Sequence, residues 1–126
     1  MPSPSSKDVA LAFFHLAFVK KDPAAARREL IGDVYVQHNP GAADGPEGFV
    51  EMINGLFARA PAFRTELRHV VAEDDMVALH HHAHLSEDGP GVAVIDLFRI
   101  KDGRVVEHWD VVQPVPETSA NSNTMF

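Results

Sequence analysis

Histidine and aspartate are the residues here whose types and spacing could do chemistry. Four of the eight histidines fall within five positions, His80-His81-His82-Ala83-His84. Another sits in the run Glu107-His108-Trp109-Asp110, and His38 opens His38-Asn39-Pro40. An imidazole beside a carboxylate in an apolar setting can take or deliver a proton near neutral pH. Other chemistries have less support. The chain has no cysteine, which removes thiolate nucleophiles, disulfides and sulfur-ligated metals. No G-x-S-x-G elbow is present, and Gly45-Pro46-Glu47-Gly48 lacks the G-K-[ST] of a phosphate loop.

A length of 126 residues supports one domain with a single core. Eleven basic residues against 18 acidic ones give a formal charge of −7. That balance repels phosphate backbones and anionic lipid, so neither nucleic acid nor a membrane is an expected partner. The opening residues MPSPSSKD show no charged-then-apolar leader pattern. A cytoplasmic protein is therefore expected.

The elements that must position these side chains fall into two periods. Ser5 and Asp8 resemble a capping box, opening a helix over 7–20 with Val9, Ala12, Phe13, Leu16 and Val19 on one stripe. Asp22-Pro23 reads as a cap and first turn for a short helix over 24–31, stopped at Gly32. Residues 33–37 read as extended. A second box-like pair, Asp44 and Glu47, opens a third helix with Phe49, Met52, Ile53, Leu56, Phe57 and Ala60 on one face, closed by Pro61. From residue 62 onward the period drops to two, predicting strands over 63–72, 76–86, 92–100 and 104–112. Their hairpin-length connections predict antiparallel pairing in chain order. The fold class expected is α+β: three N-terminal helices packed on a strongly curved, mainly antiparallel sheet. Residues 1–6 and 117–126 read as flexible ends of a domain spanning 7–116.

Side chains alternate across a strand, so parity sorts faces. On the first long strand Phe63, Thr65, Leu67, His69 and Val71 share the helix-facing side. On the next, His81 travels with Val77, Leu79, Ala83 and Leu85, while His80, His82 and His84 point outward. For the last hairpin, a two-residue Asp102-Gly103 turn would set Asp96 opposite Trp109. A three-residue loop sets Asp96 opposite His108 and Val94 opposite Asp110, and is preferred because it pairs carboxylate with imidazole. Either way Val106, His108, Asp110 and Val112 share one face of the last strand, against Val105, Glu107, Trp109 and Val111. His81, Asp96, His108 and Asp110 then meet on an otherwise apolar concave face. Unpaired charges buried there would cost several kcal/mol, so the expectation is a pocket.

Tyr35-Val-Gln-His38-Asn39-Pro40, Ala43-Asp44-Gly45 and the closing run Asp96-Leu-Phe-Arg-Ile-Lys-Asp-Gly-Arg-Val-Val-Glu-His108-Trp109-Asp110-Val-Val-Gln113 resemble the SnoaL-like proteins. The match is to the group predicted to catalyse aldol condensations, within the nuclear transport factor 2-like superfamily. The resemblance spans residues 9–116. It implies a cone-shaped α+β barrel with a deep pocket, no cofactor, and a homodimer made through the outer sheet face. It also implies a pocket aspartate, here Asp110, that removes a proton next to a carbonyl, with His108 beside it.

Function is thus read as cofactor-free acid–base chemistry, aldol condensation or cyclisation, on a small carbonyl-bearing apolar substrate. Asp110 is the expected base, with Asp96 the alternative base or the group that orients His108. His108, His38 and Tyr35 are expected to stabilise an enolate. Asn39, His81, Phe57 and Phe98 are expected to contact substrate. No inward arginine is evident. Three rivals remain open: a non-catalytic ligand-binding module, a metal-dependent enzyme using His38, His81, His108, Asp96 and Asp110, and the same pocket put to related lyase or isomerase chemistry or epoxide hydrolysis. His80, His82, His84 and Trp109 are expected on the homodimer face, with dimerisation weakening below about pH 6.5 as histidine protonates.

Overall fold

The computed structural model describes residues 3–126. Helix α1 (Ser6–Phe14) starts on a complete capping box. The Ser5 hydroxyl accepts from the Asp8 amide at 3.1 Å, and Asp8 accepts from the Ser5 amide at 3.4 Å. A π-helical turn (His15–Val19) continues it. Asp22 caps α2 (Pro23–Leu30) by accepting from the Ala25 amide. The chain then passes without a loop into β1 (Ile31–Gln37), so Gly32, expected to stop that helix, already lies in a strand. Part of the expected loose start lies outside the described residues.

Helix α3 (Gly45–Arg59) buries Phe49 and Ile53, as its stripe predicts. Asp44 sits at its N-cap but does not cap it. Its carboxylate instead accepts from the Gln37 amide at 2.8 Å, because that amide lies on the free edge of β1 and needs a partner. Glu47 likewise leaves the expected box and pairs with Arg27. The loop between β1 and α3 is held close: a Cβ on Gly48 would fall 2.1 Å from the Ala43 carbonyl oxygen. Only glycine permits that approach.

Four strands follow: β2 (Arg64–Glu73), β3 (Met76–His84), β4 (Val92–Lys101) and β5 (Arg104–Pro114). They pair antiparallel in chain order, and β1 adds parallel to β5, giving the order β1-β5-β4-β3-β2. The sheet is curled but not closed, and the three helices fill its concave side. Phe13 joins α1 to α3 and the sheet, with its ring 5.2 Å from Phe49 and 5.3 Å from Phe98. Each such pair adds about 0.5–1.5 kcal/mol beyond its burial.

Two bulges correct the parity reading. The last hairpin closes on a two-residue turn, Asp102 at φ 52° and Gly103 at φ 75°, the two left-handed positions a type I′ turn requires. Lys101 pairs with Arg104 and Ile100 with Val105, after which the register slips so that Arg99 pairs with Glu107. Val106 is the extra residue. Both Val105 and His108 consequently face the core, although two residues separate them. Asp96 ends opposite Asp110 and Phe98 opposite His108, neither of the two registers expected. A second slip lies between Leu67 and His69. It turns His69 and Val71 outward and brings Val70 against the core. A bulge inserts one residue and so inverts the alternation beyond it.

Residues 115–126 have no helix or strand. Phe126 lies on the outer sheet face, its ring 4.1 Å from His82 and 5.5 Å from His80. Among the described residues, no helix is long and apolar enough to cross a membrane.

Candidate active site

Between the helices and the sheet lies a cavity of ≈ 330 Å³. Three strands line it in the same order from mouth to floor. On β5 these are Val112, Asp110 and His108; on β4, Val92, Val94, Asp96 and Phe98; past and within β3, Leu85, Ala83 and His81. Exposure falls along each line, from 52% at Val112 and 48% at Leu85 to 4% at His108 and 3% at His81. Phe13, Phe18, Phe49, Met52, Ile53, Leu56 and Phe63 supply the apolar walls.

At the floor Asp96 is gripped from both sides. Its Oδ2 accepts from His81 Nε2 at 2.6 Å and its Oδ1 from His108 Nε2 at 2.7 Å. Burial alone would raise the Asp96 pKa. The hydrogen bonds and charges of His108 and His81 outweigh it and hold the carboxyl below the usual range. The outer nitrogens of the two rings are held differently. His108 Nδ1 lies 2.8 Å from Gln37 Oε1, and that oxygen also accepts from the Asn39 amide, which settles the orientation of the Gln37 side chain. His81 Nδ1 lies 2.6 Å from the Thr65 hydroxyl. Donor counting then assigns the protons. Both Nε2 atoms donate to Asp96. His108 Nδ1 must also donate, because Gln37 offers it only an acceptor, whereas the Thr65 hydroxyl, which also donates to the His82 carbonyl oxygen at 3.1 Å, offers His81 Nδ1 an oxygen that can accept. The charge of His108 and that of Asp96 then offset each other at the floor, the arrangement that burial tolerates.

Asp110 is set apart from this network. Both its oxygens accept from Asn39 Nδ2 at 2.9 Å. Its Oδ2 is 3.8 Å from His108 Nε2, beyond hydrogen-bond reach. It is less buried than Asp96, and it faces the cavity. Tyr35 also lines the cavity and is 2% exposed. Burial, reinforced by the negative Asp96, pushes its phenol pKa up, so it stays a hydrogen-bond donor at any ordinary pH. Among the described residues its oxygen accepts from Gln37 at 3.5 Å and donates to none.

Of the residues singled out from sequence, Asp110, His108, Asp96, Tyr35, Asn39, His81 and Phe98 all line the cavity. His38 and Phe57 do not. His38 stacks on Trp109 at 4.6 Å and bonds to Glu107 at 2.7 Å, because β1 ends there and the chain turns to the outer side. That bond, with Arg99, holds the Glu107 carboxyl below its usual range. Phe57 packs on Phe63 under Lys21, and its helix neighbour Leu56 faces the cavity instead. Gln37 and Thr65 were not recognised as site residues. Parity had placed Thr65 on the inner face with His81, which was the available signal; Gln37 had none beyond adjacency to His38-Asn39. Arg59 also lines the cavity, so an arginine does reach it.

Asp96, His108 and Asp110 offer donor atoms within 4.8 Å of one another, the minimum for a metal site. The donor set fits a cation poorly. His108 Nε2 would have to give up its proton, and Asp96 Oδ1 the only donor it has.

The model of the SnoaL-like domain matches residues 10–108. Solved structures show the same fold. IdmH of Streptomyces antibioticus, a candidate polyketide cyclase, is 25% identical, with a TM-score of 0.71 over 86% of this chain and 92% of that one. TsrD of Streptomyces laurentii is 22% identical, with a TM-score of 0.70 over 89% and 91%. A candidate polyketide cyclase of Bacillus cereus is 16% identical, with a TM-score of 0.73 over 85% and 74%. The last two likenesses concern the fold alone. No curated protein matches the chain.

Proposed function

The chain belongs to the SnoaL-like domain family, and from that premise we propose that it is a cofactor-free acid–base enzyme acting on a carbonyl-bearing, largely apolar substrate by aldol condensation or cyclisation. The observation that carries this reading is the unequal state of two facing carboxylates. Asp96 has both oxygens taken by imidazoles and is buried beneath them. Asp110 has one amide partner and an open side toward the cavity. Asp110 is therefore the base and Asp96 the group that orients His81 and His108.

In this mechanism Asp110 takes the proton from the carbon next to a carbonyl, the C–H electron pair forms the enolate C=C bond, and the carbonyl π pair moves onto the oxygen. The Tyr35 hydroxyl donates to that oxygen, and the positive His108 ring lies near enough to stabilise its charge. The enolate carbon then attacks a second carbonyl, forming the carbon–carbon bond. The resulting alkoxide recovers the proton from Asp110, which returns to its starting state. His38, outside the cavity, has no part.

Deuterium uptake at the α-carbon of apolar β-dicarbonyl compounds, followed by NMR in D2O, tests the proton step without requiring the natural substrate. Asp110→Asn should fold normally and lower enzyme-dependent uptake by about 10²-fold or more. Uptake unchanged in that variant would assign the base to Asp96. Compounds that bind but never exchange would favour the ligand-binding module, which the apolar walls also suit.

A second copy of this chain is the partner proposed for the outer sheet face. Ile95, Leu97 and Val111 stay exposed there, in cross-strand pairs Ile95–Val111 and Leu97–Trp109, beside His80, His82 and His84.

A further inference from the structure

Among the described residues Arg59 is the only lysine or arginine lining the cavity. It belongs to one stripe of α3, with Met52 and Leu56 at i, i+4 and i+7 spacing, so it stands beyond the apolar wall at the exposed end. Val112 and Leu85, on the strand side of the mouth, are apolar and about half exposed. The remaining arginines in ion pairs are Arg27, Arg28, Arg64, Arg68 and Arg99, and Arg104 bonds to backbone carbonyls. Among the described residues Arg59 has neither kind of partner.

Its position is prepared by a glycine. Gly55 sits one turn earlier, inside α3, where glycine is disfavoured relative to alanine. Apart from the helix's own backbone, the sole heavy atom near the place a Gly55 Cβ would occupy is Arg59 Nη1, at 3.1 Å. The missing side chain therefore leaves room for the guanidinium to fold back along the helix. A position in the last turn also suits an arginine through the helix dipole, but that benefit needs no glycine at 55.

We propose that Arg59 is a specificity-determining residue that binds an anionic group at the cavity mouth. The substrate is then an amphipathic carbonyl compound: its reacting carbonyl reaches Asp110 and Tyr35, its apolar body crosses the Phe and Leu walls, and a carboxylate-type terminus stays at the rim. This inference rests on the cavity being the substrate site.

The test compares 8-oxononanoate with 2-nonanone, which share a ketone and a chain and differ in the terminal carboxylate. Calorimetric titration of the wild-type protein should give about fivefold tighter binding of the oxo acid, as one partly screened guanidinium–carboxylate contact provides. That preference should shrink as salt is raised. Arg59→Gln should abolish the preference and leave 2-nonanone binding within twofold, and Arg59→Lys should retain part of it. Gly55→Leu, which puts a good helix former at that position but fills the space, should also reduce the preference, with helicity checked by circular dichroism. Equal binding of the two ligands by wild type, or equal losses for both in Arg59→Gln, would overturn the role of Arg59 while leaving the pocket reading intact. Binding of neither ligand would overturn both.

Discussion

His81 and His82 are chain neighbours with opposite fates. His81 points into the concave side, 2.6 Å from a buried carboxylate and 2.6 Å from a threonine hydroxyl. His82 points to the convex side, stacks on Phe126 at 4.1 Å and reaches the Pro90 carbonyl oxygen at 2.7 Å. The same contrast runs through both faces of the sheet. Inside, Asp96 and its two imidazoles are each paired to groups whose positions are themselves fixed, as Gln37 fixes His108. Outside, the histidines touch one another and the tail: His69 and His80 meet at 2.9 Å, and the rings of His82 and His84 lie 4.1 Å apart. A titratable residue becomes chemically useful here through the burial and the fixed partner of the inner face, not through its type or local density.

Asp96→Asn should break that contrast most severely. It removes a buried charge that two imidazoles require, and breaking such a pair costs about 3–5 kcal/mol. Thermal unfolding of the variant would measure it; a melting temperature equal to wild type would show that the inner network is no more demanding than the outer one. Acid titration tests the same group by linkage. The folded-state pKa of Asp96 lies below its unfolded value, so its contribution is complete above about pH 4, declines as pH falls below that, and is lost once the folded value is passed. Asp96→Asn should flatten the acid limb of the stability curve.

Thr65→Val and Gln37→Leu should be smaller, on the order of 1–3 kcal/mol each, since each leaves one ring nitrogen without a partner. Deuterium uptake should fall more in Gln37→Leu than in Thr65→Val, because Gln37 maintains the charged ring next to Asp110. Equal losses would argue against that assignment of protons.

The outer face should respond least. His82→Ala is expected to change stability by no more than about 0.5 kcal/mol. Its histidines should instead govern assembly. Burial, with the neighbouring His69, lowers the pKa of His80; burial, with His82 and the nearby arginines, lowers that of His84. His80 and His84 therefore protonate below the ordinary histidine value of about 6.5. Sedimentation should show the proposed dimer at pH 8 and weaker association at pH 5. A mass unchanged across that range would exclude a role for these histidines.

Much of the architecture was legible because it depends on local regularities. Capping at Ser5, the helical stripe from Phe49 to Ile53 and the change of period after residue 62 are all short-range signals, whereas the last hairpin closes on the two-residue Asp102-Gly103 turn rather than the three-residue loop preferred from sequence. Parity also sorted His81 from His80, His82 and His84 correctly. The failures follow from two bulges. His69 and Val105 were assigned to the wrong faces because one inserted residue inverts the alternation beyond it, and no sequence pattern marked Arg68 or Val106 as that residue. His38 was misplaced for a different reason: it lies past the end of β1, where alternation no longer governs direction.

The sequence by itself determined that this is an α+β domain with an apolar concavity carrying His81, Asp96, His108 and Asp110, because period and parity are properties of the chain. Only the tertiary structure decided how those four divide their work. Whether a carboxylate is saturated or open depends on which side chains from β1, β2 and the β1–α3 loop arrive at it or at the imidazoles that hold it: Gln37 at His108, Thr65 at His81 and Asn39 at Asp110. Two of these arrive from about 70 residues away in the chain, and contacts at that range are set by the packing of the whole sheet.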